Sequence, residues 1–154
     1  MAAFFFDSSA IVKRYLSEAG TTRVLSHVDP AGGNQVYLAM ITGVEVVAAI
    51  CRRARGGTIP LPIALAAVTQ FRHDFANQYQ TVEITNDLLS DAMALAESHG
   101  LRAYDAVQLA AALELTDLRK GMSLDPLTVI SSDKELNAAA LLASLQVEDP
   151  STYP

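Results

Sequence analysis

The spacing of apolar residues changes period repeatedly along this chain. Ala3-Phe4-Phe5-Phe6 is an unbroken apolar run without turn chemistry, and it reads as a short strand buried on both faces. The run halts on Asp7. Ala10 to Leu16 then follows helical spacing, with Ser8 or Ser9 placed to cap that helix. A second short helix is predicted over 22–28, and the turn formers Asp29-Pro30-Ala31-Gly32-Gly33-Asn34 mark a loop. Gln35 to Ile41 is apolar and β-rich, a second strand. Thr42-Gly43-Val44-Glu45 leads from it into a helix over 46–54, which Gly56-Gly57 ends.

Beyond Pro60 and Pro62, the residues Leu65, Val68, Phe71 and Phe75 recur at helical spacing through Gln78. Thr81 to Ile84 is a brief strand near a sheet edge, and Asn86 or Asp87 caps a helix that stops at His99-Gly100. Leu101 to Leu118 is the longest amphipathic helix. A loop over 121–126 precedes a strand at 127–131, a helix at 133–144 and a last strand at 145–148. The pair of helices between Pro60 and Ser98 is expected to project as an arm. Short strands alternating with helices predict an α/β fold with a small, mainly parallel sheet, in one domain over 1–154.

At 154 residues the chain is long enough to bury a substantial core. Its 17 acidic residues outnumber 11 basic ones, for a net charge of −6. That balance excludes a protein held on nucleic acid by bulk positive potential. It leaves room for a nuclease, because a bound divalent cation reverses the field that phosphate meets. Cys51 is the only cysteine, so no intrachain disulfide forms, and a reducing cytoplasm is the expected compartment. The N-terminus lacks a signal-peptide pattern, and no apolar run approaches the ~18 residues of a membrane span.

Four carboxylates stand out by position. Asp7 follows the first strand directly, where ligands of parallel sheets gather, although an acid there also serves a helix N-terminus. Glu45 follows the second strand one helical turn later, and Thr42-x-x-Glu45 also fits a capping box. Asp105 shares a helix face with Leu101, Leu109 and Ala112, so it must be paired, protonated or bound to a cation, unless the helix begins late and Asp105 serves its start. Arg102, three residues earlier, is its local partner. Asp133 follows Val129-Ile130-Ser131-Ser132 and repeats the strand-then-acid arrangement, with helix-dipole complementation or a Ser132-x-x-Glu135 box as the structural alternative. If the sheet is doubly wound, all four lie at one edge and repel one another unless a cation compensates. An oxygen-only set suits a hard divalent ion such as Mg²⁺ (or Mn²⁺). No phosphate-binding glycine loop or CxxC is present, and His27, His73 and His99 show no ligand spacing.

Joined together, Phe6-Asp7-Ser8-Ser9-Ala10-Ile11-Val12-Lys13, Thr42 with Glu45, Gly100 to Ala110 and Val129 to Lys134 resemble a PIN-domain ribonuclease of the VapC toxin type. The resemblance spans nearly the whole chain. It implies a three-layer α/β/α sandwich and an acidic quartet of Asp7, Glu45, Asp105 and Asp133, with Asp7, Asp105 and Asp133 as metal ligands. Ser9 and Ser131 match hydroxyl positions that assist such sites. The resemblance further implies Mg²⁺-dependent hydrolysis of RNA to 5′-phosphate and 3′-hydroxyl ends, a homodimer, and a cognate antitoxin whose C-terminal segment covers the groove. Lys13, Arg14 and Arg102 suit either phosphate contact or ion pairing, and Arg52-Arg53-Ala54-Arg55 reads as a helix C-terminus favoured by the dipole. Two other readings stay open: a PIN-like binding module without catalysis, and an Asp-based phosphoryl-transfer domain. The second wants another acid beside Asp7, where this chain has Ser8-Ser9.

Overall fold

In the computed structural model, which describes residues 1–154, five parallel strands form one sheet. They are β1 (Ala3–Phe6), β2 (Gln35–Ala39), β3 (Gln80–Val82), β4 (Thr128–Ile130) and β5 (Gln146–Glu148). Seven helices connect them: α1 (Ser8–Ile11), α2 (Thr21–Val28), α3 (Thr42–Arg55), α4 (Leu61–Asn77), α5 (Asn86–His99), α6 (Ala103–Gly121) and α7 (Lys134–Leu142). Strand order is β3-β2-β1-β4-β5, so the chain winds outward on one side of β1 and then crosses to the other. The switch point lies between β1 and β4, and the crevice it opens is at their carboxyl ends.

β1 is central because both of its faces are apolar. Successive side chains of a strand alternate between faces. Ala3 and Phe5 enter one core with Leu88, Leu109 and Leu136 of α5, α6 and α7. Phe4 and Phe6 enter the other with Ile11, Val46, Ile50 and Phe71 of α1, α3 and α4. Phe5 and Phe6 are fully buried. Helices on both faces of a short parallel sheet make the expected three-layer α/β/α sandwich.

Several boundaries differ from the pattern. α1 is capped by Asp7 itself, whose side chain accepts from the Ala10 amide; neither Ser8 nor Ser9 caps it. α3 starts at Thr42, before the residues where apolar spacing becomes regular. Gly43 is tolerated inside it because the Phe75 ring packs where a Cβ would sit. α5 is capped by Thr85, whose hydroxyl accepts from Leu88 N at 3.1 Å, and not by Asn86 or Asp87. No helical arm projects. α4 packs on α3, α5 packs on α6, and β3 between them pairs with β2 as an edge strand. At Gly100 the backbone turns left-handed (φ 65°), which ends α5 and lets α6 begin with its N-terminus beside the crevice.

The two-sided burial of β1 makes its aromatics the most costly residues to truncate. Phe5→Ala is expected to lower stability by about 3–5 kcal/mol, measured as a shift in urea midpoint at unchanged slope. A loss under ~1 kcal/mol would mean that β1 does not join the two cores.

Candidate active site

Asp7 leaves β1 at its carboxyl end and is 3 % exposed. Its oxygens are saturated by neutral donors. Ser9 Oγ lies 2.7 and 3.0 Å from Oδ1 and Oδ2, Ser131 Oγ donates to Oδ2 at 2.8 Å, and Ala10 N donates to Oδ1 at 3.1 Å. Burial dominates over these bonds and pushes Asp7 from 3.8 up to about 7, with the charge of Glu45 adding a smaller upward push. The serines tie β1 to the start of α7. Ser9 Oγ accepts from Ser132 N at 2.9 Å, and Ser131 Oγ accepts from Asp133 N at 3.0 Å. The hydroxyls predicted to assist the site therefore orient the central carboxylate.

Glu45 lies in the first turn of α3. It does not reach back to Thr42, so the capping-box alternative fails; Ile41, the N-cap of α3, gives no side-chain cap. Instead Glu45 Oε2 accepts from Ser8 Oγ at 3.1 Å and Oε1 accepts from Gln108 Nε2 at 2.8 Å. The same Gln108 nitrogen donates to Thr42 Oγ1 at 2.8 Å. Gln108 is fully buried, and its Oε1 has no donor, the cost of turning the amide nitrogen toward two acceptors. Glu45 meets no cation, and partial burial raises its pKa, with Asp105 adding to the rise.

Asp105 opens α6 and Asp133 is the N-cap of α7, accepting from Leu136 N at 2.9 Å through Oδ1. Arg102 bridges the two acids. Its Nε lies 3.3 Å from Asp105 Oδ2 and its Nη2 3.0 Å from Asp133 Oδ2. The predicted local pair thus holds, with a second acid added. Even so, Asp105 is raised, first by partial burial and then by Asp133. The capping alternative for Asp133 also holds, although the cap is Asp133 itself and not Ser132 with Glu135.

All four acids therefore stand at one sheet edge, and each of the first three is raised in part by the next: Asp7 by Glu45, Glu45 by Asp105 and Asp105 by Asp133. One guanidinium, 75 % exposed, is the only cation the chain pairs with them. No three of the acids stand close enough to enclose an ion outright. The donor set is nonetheless all carboxylate and hydroxyl oxygen with excess negative charge, which suits a hard cation held partly through water. Other basic residues of this end are committed elsewhere: Lys13 and Arg53 to Glu18, and Arg14 to Asp74.

Sequence reasoning missed Gln108 and the bond from Ser8 to Glu45. A signal existed for Gln108: it is the one amide in the apolar run Ala106 to Leu113, one turn beyond Asp105. Ser8 carried no distinguishing signal.

No family model matches the chain. Two curated proteins do: Ribonuclease VapC45 and Ribonuclease VapC49, from two strains of Mycobacterium tuberculosis. Each is 31 % identical over 147 residues, covering 96 % of this chain and 95 % of the relative. Among solved structures, a toxin–antitoxin complex from Klebsiella pneumoniae superposes with TM-score 0.63 at 19 % identity, over 97 % of this chain and 98 % of that one. VapC20 of Mycobacterium tuberculosis, described as a sarcin–ricin-loop-cleaving toxin, superposes with TM-score 0.60 at 17 % identity, over 88 % and 94 %. These likenesses establish the fold.

The raised pKa of Asp7 has a direction that can be checked. Between about pH 4 and 7 the folded protein keeps a proton that the unfolded chain has released. Stability from this group is complete below 3.8 and is lost as pH rises through about 7. Asp7→Asn cannot ionise, so in EDTA its stability relative to the parent is expected to improve by a few kcal/mol from pH 4 to pH 8. Thermal melts at both pH values measure it. A mutant-minus-parent difference independent of pH would contradict the burial of a chargeable Asp7.

Proposed function

This chain belongs to the VapC ribonuclease family, and from that premise we propose that its acidic quartet hydrolyses RNA phosphodiesters with a bound divalent cation, Mg²⁺ or Mn²⁺. The observation that supports it best is the buried Asp7, raised to about 7 among three further acids, of which Asp105 and Asp133 share one arginine and Glu45 meets no cation. Such a group stays ionised at neutral pH when a cation sits against it.

In this reading Asp7, Asp105 and Asp133 would hold the cation, and the exposed Arg102 would give up its bridge between Asp105 and Asp133. When bound, the cation lowers the pKa of a water molecule and offsets charge growing on the leaving oxygen. Ser9 and Ser131 keep both Asp7 oxygens oriented. Glu45 is the proton acceptor for the attacking water, because its partners Ser8 and Gln108 are neutral and its raised pKa brings it nearer the working pH. Asp133 is less free for that task, with one oxygen capping α7 and the other on Arg102. The ends left are a 5′-phosphate and a 3′-hydroxyl.

The proposal includes a toxin role for a cytoplasmic, single-domain protein that forms a homodimer and is silenced by a cognate antitoxin. No helix is long and apolar enough to cross a membrane. Solved toxin–antitoxin complexes share this fold, which supports a partner of that kind.

Asp7→Asn and Asp105→Asn are each expected to reduce RNA cleavage to background while the far-ultraviolet spectrum stays native. Ser131→Ala, which acts through Asp7, is expected to cost about 10–100-fold in kcat/KM. EDTA abolishes cleavage and Mg²⁺ restores it. Cleavage by the rigorously purified Asp7→Asn/Asp105→Asn double mutant would refute the site.

A further inference from the structure

An open cleft of about 540 Å³ runs along α3 from Glu45, the one member of the acidic quartet that lines it. Ser8, Ser9 and Glu45 line one end; Lys13, Arg52 and Arg53 line the other, and Tyr104 stands on the rim. Between the ends α3 contributes only Ala48 and Ala49, residues too short to fill the space. Two turns of helix separate Glu45 from Arg52 and keep both on the cleft side, about 10 Å apart along the axis.

Charge changes sign along this cleft. Glu18 takes both Lys13 (3.1 Å) and Arg53 (2.6 Å). Arg52 has no ion-pair or hydrogen-bond partner and is exposed. Three cations around one carboxylate leave an excess of two positive charges, with the unpaired one on Arg52. Dipole complementation accounts for basic residues at the end of α3. It does not account for Glu18, from a different segment, fixing Arg53 into the cleft wall while Arg52 stays free. Tyr104 is 58 % exposed beside Asp105, an aromatic face presented to solvent at the rim of a charged cleft.

We propose that this cleft seats a single RNA strand next to the scissile bond, with Arg52 on a backbone phosphate about three stacked nucleotides away and Tyr104 under an unpaired base. The inference rests on the reading of the quartet as the RNA-hydrolysing site. The quartet repels every phosphate except one brought in against a cation, and the far end attracts the next ones, so the strand has one energetically favoured path. A duplex does not suit it, since paired bases hide the faces on which Tyr104 stacks. Arg52 and Tyr104 are positioning residues in this account, and binding energy is their contribution.

The test is fluorescence anisotropy with a labelled single-stranded RNA decamer on Asp7→Asn protein, which leaves the RNA uncut. Adding Arg52→Glu is expected to weaken Kd on the order of tenfold. Arg52→Ala is expected to reduce the slope of log K against log salt by about 0.7. Tyr104→Ala is expected to weaken binding about tenfold and Tyr104→Phe to restore it, because the ring face and not the hydroxyl is used. Arg55→Glu makes the same charge change outside the cleft and is expected to alter Kd by less than about twofold. In the Asp7-intact enzyme, Arg52→Ala raises KM with kcat nearly unchanged. Equal affinity of Arg52→Glu and its parent, equal weakening by Arg55→Glu, preference for a duplex, or no measurable binding by the parent would each overturn the proposal. Cleavage that survives Asp7→Asn removes the proposed chemistry and leaves the cleft standing. Cleavage lost in Asp7→Asn, with RNA affinity indifferent to Arg52, does the reverse.

Discussion

A carboxylate at the end of a strand buried on both faces carries an unusually high cost of charge, and Asp7 sits there. Its four hydrogen bonds lower that cost without cancelling it, because hydroxyl and amide donors are neutral while the surroundings exclude water. Everything near the site answers to this constraint. Ser9 and Ser131 fix the carboxylate, and their oxygens in turn accept the amides of Ser132 and Asp133, so the loop after β4 takes its shape from Asp7. The remaining imbalance is the ground for the proposed cation.

Topology brings the other acids to the same place. Parallel strands point their carboxyl ends one way, and the crossing from one side of β1 to the other opens the crevice beside β4. Helices that leave that edge start there as well, so Glu45 arrives on the first turn of α3 and Asp133 as the N-cap of α7. Asp105 arrives differently, from a helix that precedes its strand; the left-handed Gly100 reverses the chain so that α6 begins at the crevice. Gln108, one turn further on, then clamps Glu45 from across the site. The acidic edge is thus held by α3 and α6, which pack on opposite faces of the sheet at β1's end.

The pattern made β1, a small parallel α/β sheet, and Asp7 and Asp133 legible, because an apolar run ending in an acid is a local signal; the three-layer architecture and the quartet as a set came from the family resemblance. Other features depended on partners far along the chain. Thr42 and Glu45 fit a capping box by spacing, yet Glu45 turns to Ser8 and Gln108, which tertiary contact alone supplies. Arg102 was visible as the neighbour of Asp105 but not of Asp133, 31 residues away. The helices between Pro60 and Ser98 looked detached because the brief edge strand was legible but its pairing with β2, which anchors them to the sheet, joins segments far apart in the chain. Arg52 and Arg53 were equivalent in the sequence; Glu18 distinguishes them in space.

The central claim is that these acids share an excess of negative charge which a bound cation offsets. Crystals grown with Mn²⁺ and measured at an anomalous wavelength test it most directly. The account predicts a strong peak among the carboxylates of Asp7, Asp105 and Asp133, with Arg102 displaced from its bridge. A peak only elsewhere on the surface, or none with Arg102 still joining Asp105 to Asp133, would contradict it.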